Sequence, residues 1–261
     1  MKATILVASH KPAEMPQDSL YLPVQVNAGL NPLIPGFQPD NEGNNISALN
    51  YRYCELTALW WGWKNLDADN LGLNHYRRFS CTPNMKKGQS IKDVLKQSEA
   101  ETLLTKSGNI LPRVRSYYIQ TLAQHFLSYS FANSDDIELF GDAIKSVSPA
   151  YLDSFERVMK RTSGHMCNMF ILRRDYLDDY CPWLFSVMNY LDMNLPEERT
   201  RMLGYYAEHM LDIWIEHNGL PYLEIGQVFL DRDNEIRKRI GYAFRLLGFK
   251  EISDTVVWRA K

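Results

Sequence analysis

The chain has little cysteine, no long apolar run and almost no surplus of charge, and each shortage closes a route. Its four cysteines, Cys54, Cys81, Cys167 and Cys181, are scattered with no CxxC pair, which points to a reducing, cytoplasmic setting. No stretch reaches the roughly 20 apolar residues of a membrane-spanning helix. The opening MKATILVASH carries too short an apolar run for a signal peptide. Any membrane contact is therefore expected to be peripheral, at the inner face. With 29 basic and 31 acidic side chains the formal charge is −2, too little to hold a nucleic acid by counterion release. An anionic ligand must then be held by a local group of arginines and lysines.

Metal-ligand patterns are equally scarce. HxH and HExxH do not occur. Asp67-Ala68-Asp69 has the DxD form that chelates a divalent ion in many transferases, but it precedes its strand, in a turn. No metal site is assigned and no cofactor is required on this reading, with a divalent ion at Asp67 and Asp69 as the alternative.

What is present is core-forming and aromatic material: 45% hydrophobic residues, 15 Tyr and 6 Trp among 261 residues. That suits one large α/β unit over residues 1–261. Ala3 to Ser9 reads as a buried first strand that ends at His10 and Lys11. Pro12 to Asn45, rich in Pro, Gly, Asn and Asp, reads as a long loop of the kind that forms lids. Ser47 then caps a helix whose stripe Leu49, Tyr53, Leu56, Trp60 and Trp63 is expected in the core, with Trp61 off it. Leu71 to Leu73 is a brief strand running into Asn74-His75-Tyr76-Arg77-Arg78.

Further along, 84–107 reads as a polar surface excursion and Asn109 to Leu111 as a strand. Helices are expected over Tyr117 to Tyr129 and Tyr151 to Arg161, with an acidic loop at Asn133 to Glu138 between them. His165 to Arg173 can enter the sheet, and Cys181-Pro182-Trp183 is placed at the start of a helix. Arg201 to Asn218 is the clearest helix. Leu203, Ala207, Met210, Leu211 and Trp214 share one face, Glu208, Asp212 and Glu216 a second, and Gly219 and Pro221 end it. The segment Ile236 to Lys250 reads as a basic amphipathic helix, either docked on the body or resting on an anionic membrane.

Three constellations bear chemistry. Arg77 and Arg78 at a strand end offer two guanidinium forks for a diphosphate, or else form a solvated turn. Glu208 and Asp212, one helical turn apart, offer a carboxylate base, or else a polar solvent face. His165 and Asn168 at the mouth of a strand could bind sugar hydroxyls, or else be satisfied in the core.

Seven segments together resemble one bacterial family, the glycosyltransferase-like proteins of domain of unknown function 4422, found among capsular and exopolysaccharide biosynthesis proteins. They are ASHK (8–11), DNEGNNIS (40–47), NYRYCELTALWWGWKN (50–65), GLNHYRRF (72–79), NILPRVRSYY (109–118), MKRTSGHMCNMFILRR (159–174) and RMLGYYAEHMLDIWIEHNG (201–219). The resemblance implies a GT-A-like fold with a helical acceptor-side sub-lobe, residues 1–130 lying mainly on the donor side and 131–261 mainly on the acceptor side with the C-terminal helices. It also implies a UDP-sugar donor and transfer of a hexose, of galactose or galactofuranose type, to a surface glycan or lipid-linked glycan. It puts His10 and Lys11 near the nucleotide, Asn44, Asn45 and Asn50 around the donor loop, and His75, Arg77 and Arg78 near the diphosphate. Glu208 and His165 become the catalytic candidates, with Glu208 the first choice as base of an inverting reaction, and Asn168 and Asp212 fall on the acceptor side. Where relatives often read HYRRYF, this chain has Phe79-Ser80, so the second aromatic is displaced. The rival function is a sugar-nucleotide or glycan-binding module without turnover.

Overall fold

The structure, a computed structural model, describes residues 2–85, 87–88, 90–129, 131–230, 240, 241 and 244. The basic amphipathic segment Ile236 to Lys250 lies almost wholly outside them. In chain order the strands and helices begin with β1 (Ala3–Ser9), β2 (Tyr21–Gln25), β3 (Gln38–Pro39), α1 (Asn50–Tyr53), α2 (Leu56–Asn65), β4 (Asn70–His75), β5 (Arg78–Ser80) and β6 (Lys87–Gly88). There follow α3 (Gln97–Ser107), β7 (Asn109–Pro112), β8 (Arg115–Ser116), α4 (Leu122–Leu127), α5 (Asp136–Val147) and α6 (Leu152–Met159). The last are β9 (Ser163–Gly164), β10 (Phe170–Arg173), α7 (Arg174–Asn194), α8 (Met202–Asn218), β11 (Leu223–Ile225) and β12 (Gln227–Phe229).

Helices flank a mixed central sheet ordered β11-β7-β10-β4-β1-β2-β3. Strand β1 runs parallel to β2 and β4, and β10 runs antiparallel to both β4 and β7. Because successive strand residues face opposite ways, the sheet separates two cores. Leu6, Ala8, Leu71, Leu73, Leu111, Phe170 and Leu172 join the larger, helical core. Ala3, Ile5, Val7, Ile110, Ile171 and Ile225 join the smaller one. Both faces of β1 and of the centre of β4 are covered, which is why Ala3 to Ser9 and Leu71 to Leu73 read as apolar runs without polar alternation. Gly72 is required where β4 meets β10, since a Cβ there would lie 2.6 Å from the Phe170 carbonyl oxygen.

Four local expectations are corrected. Pro12 to Asn45 is not all loop: β2 and β3 extend the parallel sheet from within it. Pro23 pairs with Val7 on one side while β3 reaches only Val24 and Gln25 on the other, so its missing N–H falls outside the second ladder. The buried Asp40 carboxylate ties this region down, accepting from the backbone N–H groups of Asn27 and Ala28 at 3.2 and 3.1 Å and from the hydroxyls of Ser47 and Thr57.

The helix after Ser47 breaks at Cys54, whose φ of 52° ends α1 and rotates α2. Trp61 is thereby buried, while Trp60 and Trp63 lie half-buried against Phe185 with ring centroids 4.8 and 6.2 Å away. Trp60 and Trp63 pack against the main core from its margin, as the stripe predicts, but the break turns Trp61 fully into it. In the third case the Tyr117 to Tyr129 helix contracts to α4, and the acidic segment contains the start of α5. Asp136 and Glu138 occupy the first turn of α5, where acidic groups complement the helix dipole. Finally, α7 begins at Arg174 and passes through Pro182. An interior proline costs about 3 kcal/mol, which the buried Leu177, Tyr180, Cys181, Leu184 and Met188 on the same helix offset.

Candidate functional site

Topology gathers the polar residues. The carboxyl ends of the mutually parallel β1, β4, β7 and β11 share one sheet edge, and the antiparallel β10 brings its amino end to the same edge. The segments around His10, His75 to Arg78, Arg113 to Tyr117 and His165 to Met169 therefore converge there, where open α/β sheets bind ligands.

At the ends of β1 and β4 the focus is Tyr76, whose side chain is buried. His10 meets its ring edge-on at 5.4 Å, and His75 lies tilted at 4.5 Å. Lys11 Nζ and the Arg77 guanidinium stand 5.7 and 4.8 Å from the ring centroid. Four of the sequence-assigned donor-side residues thus surround one phenol ring.

Arg78 belongs to a different group. The β4–β5 hairpin pairs His75 with Arg78, and β12 sets Phe229 opposite Arg78 in register. The Arg115 guanidinium lies 6.0 Å from the Phe229 ring. Arg78 and Arg115 share electrostatic neighbours, Cys167 foremost and Glu208 among the rest, and each opposes the other's charge. Among the described residues no side-chain hydrogen bond or ion pair engages either guanidinium.

The acidic face of α8 is divided among three partners. Glu208 stands in the field of Arg78 and Arg115. Asp212, one turn on, is buried and lies 2.5 Å from His165 Nδ1, while His165 Nε2 is 3.0 Å from Glu224 of β11. Burial pulls the His165 imidazole down, but the two carboxylates outweigh it and the net shift is upward. Glu216, a further turn on, pairs with Arg157 and Arg161. A Cβ on Gly164 would lie 2.9 Å from Asp212 Oδ2, so the carboxylate fits against His165 only beside glycine.

Asn168 donates to Glu55 at 2.8 Å and to the Gly204 carbonyl at 3.2 Å. Four non-glycine residues with positive φ meet around these contacts: Cys54, Cys167, Asn168 and Arg201. Such backbone costs of order 1–3 kcal/mol per residue and clusters at functional sites.

Asn44, Asn45 and Asn50 are engaged in local bonds, to side chains as well as to backbone. Asn44 receives the Trp60 Nε1–H at 2.9 Å and is bracketed by Asn65. The Asn45 side chain donates to the carbonyls of Asn41 and Gly43, and Asn50 donates to Cys54 O at 2.7 Å. Asp67 and Asp69 lie at the amino end of β4, the opposite edge of the sheet, where Asp69 accepts the Lys2 N–H. Among the described residues no group of three or more His, Cys, Asp or Glu is placed to hold a metal, and no helix is long and apolar enough to cross a membrane. Arg115, Glu224 and Glu55 were not singled out in the sequence. Arg115 had one available signal, a basic residue just beyond a strand that shares the ligand edge.

The arrangement of strands and helices is shared with a solved structure. The apo structure of WbbM, a bifunctional glycosyltransferase, superposes with a TM-score of 0.82 at 24% identity, covering 88% of this chain and 46% of that one. The chain therefore spans about half the length of that protein. No curated protein matches it. The model of the family described as domain of unknown function DUF4422 matches residues 4–219, and the chain belongs to that family.

Proposed function

We propose that this protein is a GT-A-type glycosyltransferase that moves a hexose, of galactose or galactofuranose type, from a UDP-sugar to a capsular, exopolysaccharide or lipopolysaccharide acceptor at the cytoplasmic face of the membrane. The observation that carries the reading is the convergence of basic and acidic side chains on the ligand-binding edge of a sheet whose fold a glycosyltransferase also adopts.

In this reading His10, Lys11, His75 and Arg77, set around Tyr76, bind the nucleotide side of the donor. Arg78 faces the diphosphate. Asn44, Asn45 and Asn50 hold the donor loop in shape through the bonds described above. Glu208, beside the arginines, is the base. It takes the acceptor hydroxyl proton as that oxygen attacks the anomeric carbon from the face opposite the leaving group. The bond from the anomeric carbon to the diphosphate oxygen breaks, and the nucleoside diphosphate leaves with the electron pair, which inverts the configuration. His165, held on both ring nitrogens, acts as a cation that fixes Asp212 and Glu224 on the acceptor side, with Asn168 anchoring the neighbouring loop to Glu55.

A panel of UDP-sugars with glycan acceptors tests the proposal by UDP release and product mass. Transfer from one donor is the expected result. Binding of UDP with no product from any donor would replace the transferase with a binding module.

A further inference from the structure

Resting on the transferase reading, we propose that Arg115 completes an anion site with Arg78, and that this pair, rather than the sequence neighbours Arg77 and Arg78, grips the diphosphate of the sugar nucleotide. Arg77 and Arg78 are adjacent in the chain but serve different groups. Arg77 lies against Tyr76 at 4.8 Å, whereas Arg78 opens β5 directly opposite Phe229 of β12. Arg115 reaches the same Phe229 ring from another direction, across 6.0 Å, from a strand end that topology delivers to the shared edge.

Two half-buried guanidinium groups beside one another repel, and burial adds a desolvation cost to each. Structural arginines in this protein meet that cost with direct partners. Arg199 pairs with Asp136 at 2.5 Å, and Arg52 binds the Asp192 carboxylate and three backbone carbonyls. Arg78 and Arg115 have no such bond among the described residues, and Glu208 influences both without engaging either directly. Among the described residues their donors are left to an incoming anion. Two forks favour a diphosphate, because each can bind a separate phosphoryl group bidentately. Cys167, whose backbone is strained at a φ of 87°, is the first electrostatic neighbour of both guanidiniums.

The test is calorimetric, with inorganic pyrophosphate, UDP, uridine and farnesyl diphosphate as probes on the full chain. Arg115→Met should weaken pyrophosphate and UDP by roughly 10- to 100-fold and leave uridine unchanged. Arg115→Lys, which keeps the charge, should fall between this variant and the wild type. Unaltered pyrophosphate affinity in a folded Arg115→Met protein would overturn the site, and farnesyl diphosphate competing as well as UDP would overturn its assignment to a sugar nucleotide. Should Arg115→Met fail to fold, the lysine variant decides: pyrophosphate affinity equal to wild type at both low and high salt sinks the bidentate site. The two proposals fail separately. Arginine-dependent pyrophosphate binding without turnover of any sugar nucleotide removes the transferase and keeps the site, whereas normal turnover by Arg115→Met removes the site and keeps the transferase.

Discussion

Asp212 grips His165 twice: Oδ1 lies 2.5 Å from the ring nitrogen Nδ1, and Oδ2 accepts the His165 backbone N–H at 2.9 Å. With Glu224 at the other nitrogen, the proton stays on the ring above its ordinary value of 6.5. A raised folded pKa means that the protonated ring stabilises the fold. The contribution is fully present below the unfolded value and is lost as pH rises through the folded one. Melting temperatures of wild type and His165→Gln should therefore differ most near pH 6 and converge toward pH 9. A gap that stays constant across that range contradicts the imidazolium assignment.

Glu208→Gln keeps the size of the side chain and removes its basicity. Turnover should fall by about 10²- to 10⁴-fold, the usual yield of general base catalysis, while UDP affinity stays within a few-fold of wild type. Parallel losses in both would show that Glu208 shapes the donor site instead of serving as the base.

Positive charge on the departing diphosphate's side can come from arginine without a metal. Chelator should then leave most of the transferase activity, and Asp67→Asn combined with Asp69→Asn should be nearly silent, since both lie at the far edge of β4. Strict dependence on Mn²⁺ or Mg²⁺ would count against the arginine clamp.

Asp136 and Arg199 form an ion pair in which the aspartate is 2% exposed. Burial alone would raise this carboxyl, but Arg199 reverses the shift and it lies below the ordinary aspartate value of 3.8. The depressed group stabilises the fold above the unfolded pKa, and that part is lost as pH falls through the folded one. Arg199→Met strands a buried charge and should cost about 3–5 kcal/mol in urea unfolding at pH 7. A loss under about 1 kcal/mol would mean that water or a neighbour solvates Asp136.

Gly72→Ala should destabilise by about 1–3 kcal/mol, because its Cβ would stand 2.6 Å from the Phe170 carbonyl oxygen in the adjoining strand. Thermal melting measures this directly, and an unchanged midpoint would mean that β10 shifts freely against β4.

Local chemistry fixed much of what could be read from the chain alone. Apolar runs at Ala3 to Ser9 and Leu71 to Leu73 specified buried strands, and the spacing of Leu203, Ala207, Met210 and Trp214 specified α8, because each pattern has one period and one way to be buried. The family likeness was carried by long motifs in fixed order, which is also local information. What the chain alone left open depended on partners distant in sequence. Strands as short as β2, β11 and β12 become strands only when a neighbour supplies the ladder, and the break at Cys54 turns Trp61 fully into the core. The same holds at the site. Spacing placed Glu208, Asp212 and Glu216 on one face of one helix, and packing alone gave each a different setting: the field of the arginine pair, a bond to His165, and ion pairs with Arg157 and Arg161. Adjacency in the chain joined Arg77 to Arg78. The sheet's shared edge joined Arg78 to Arg115 instead, because parallel strands bring their ends together whatever the length of chain between them.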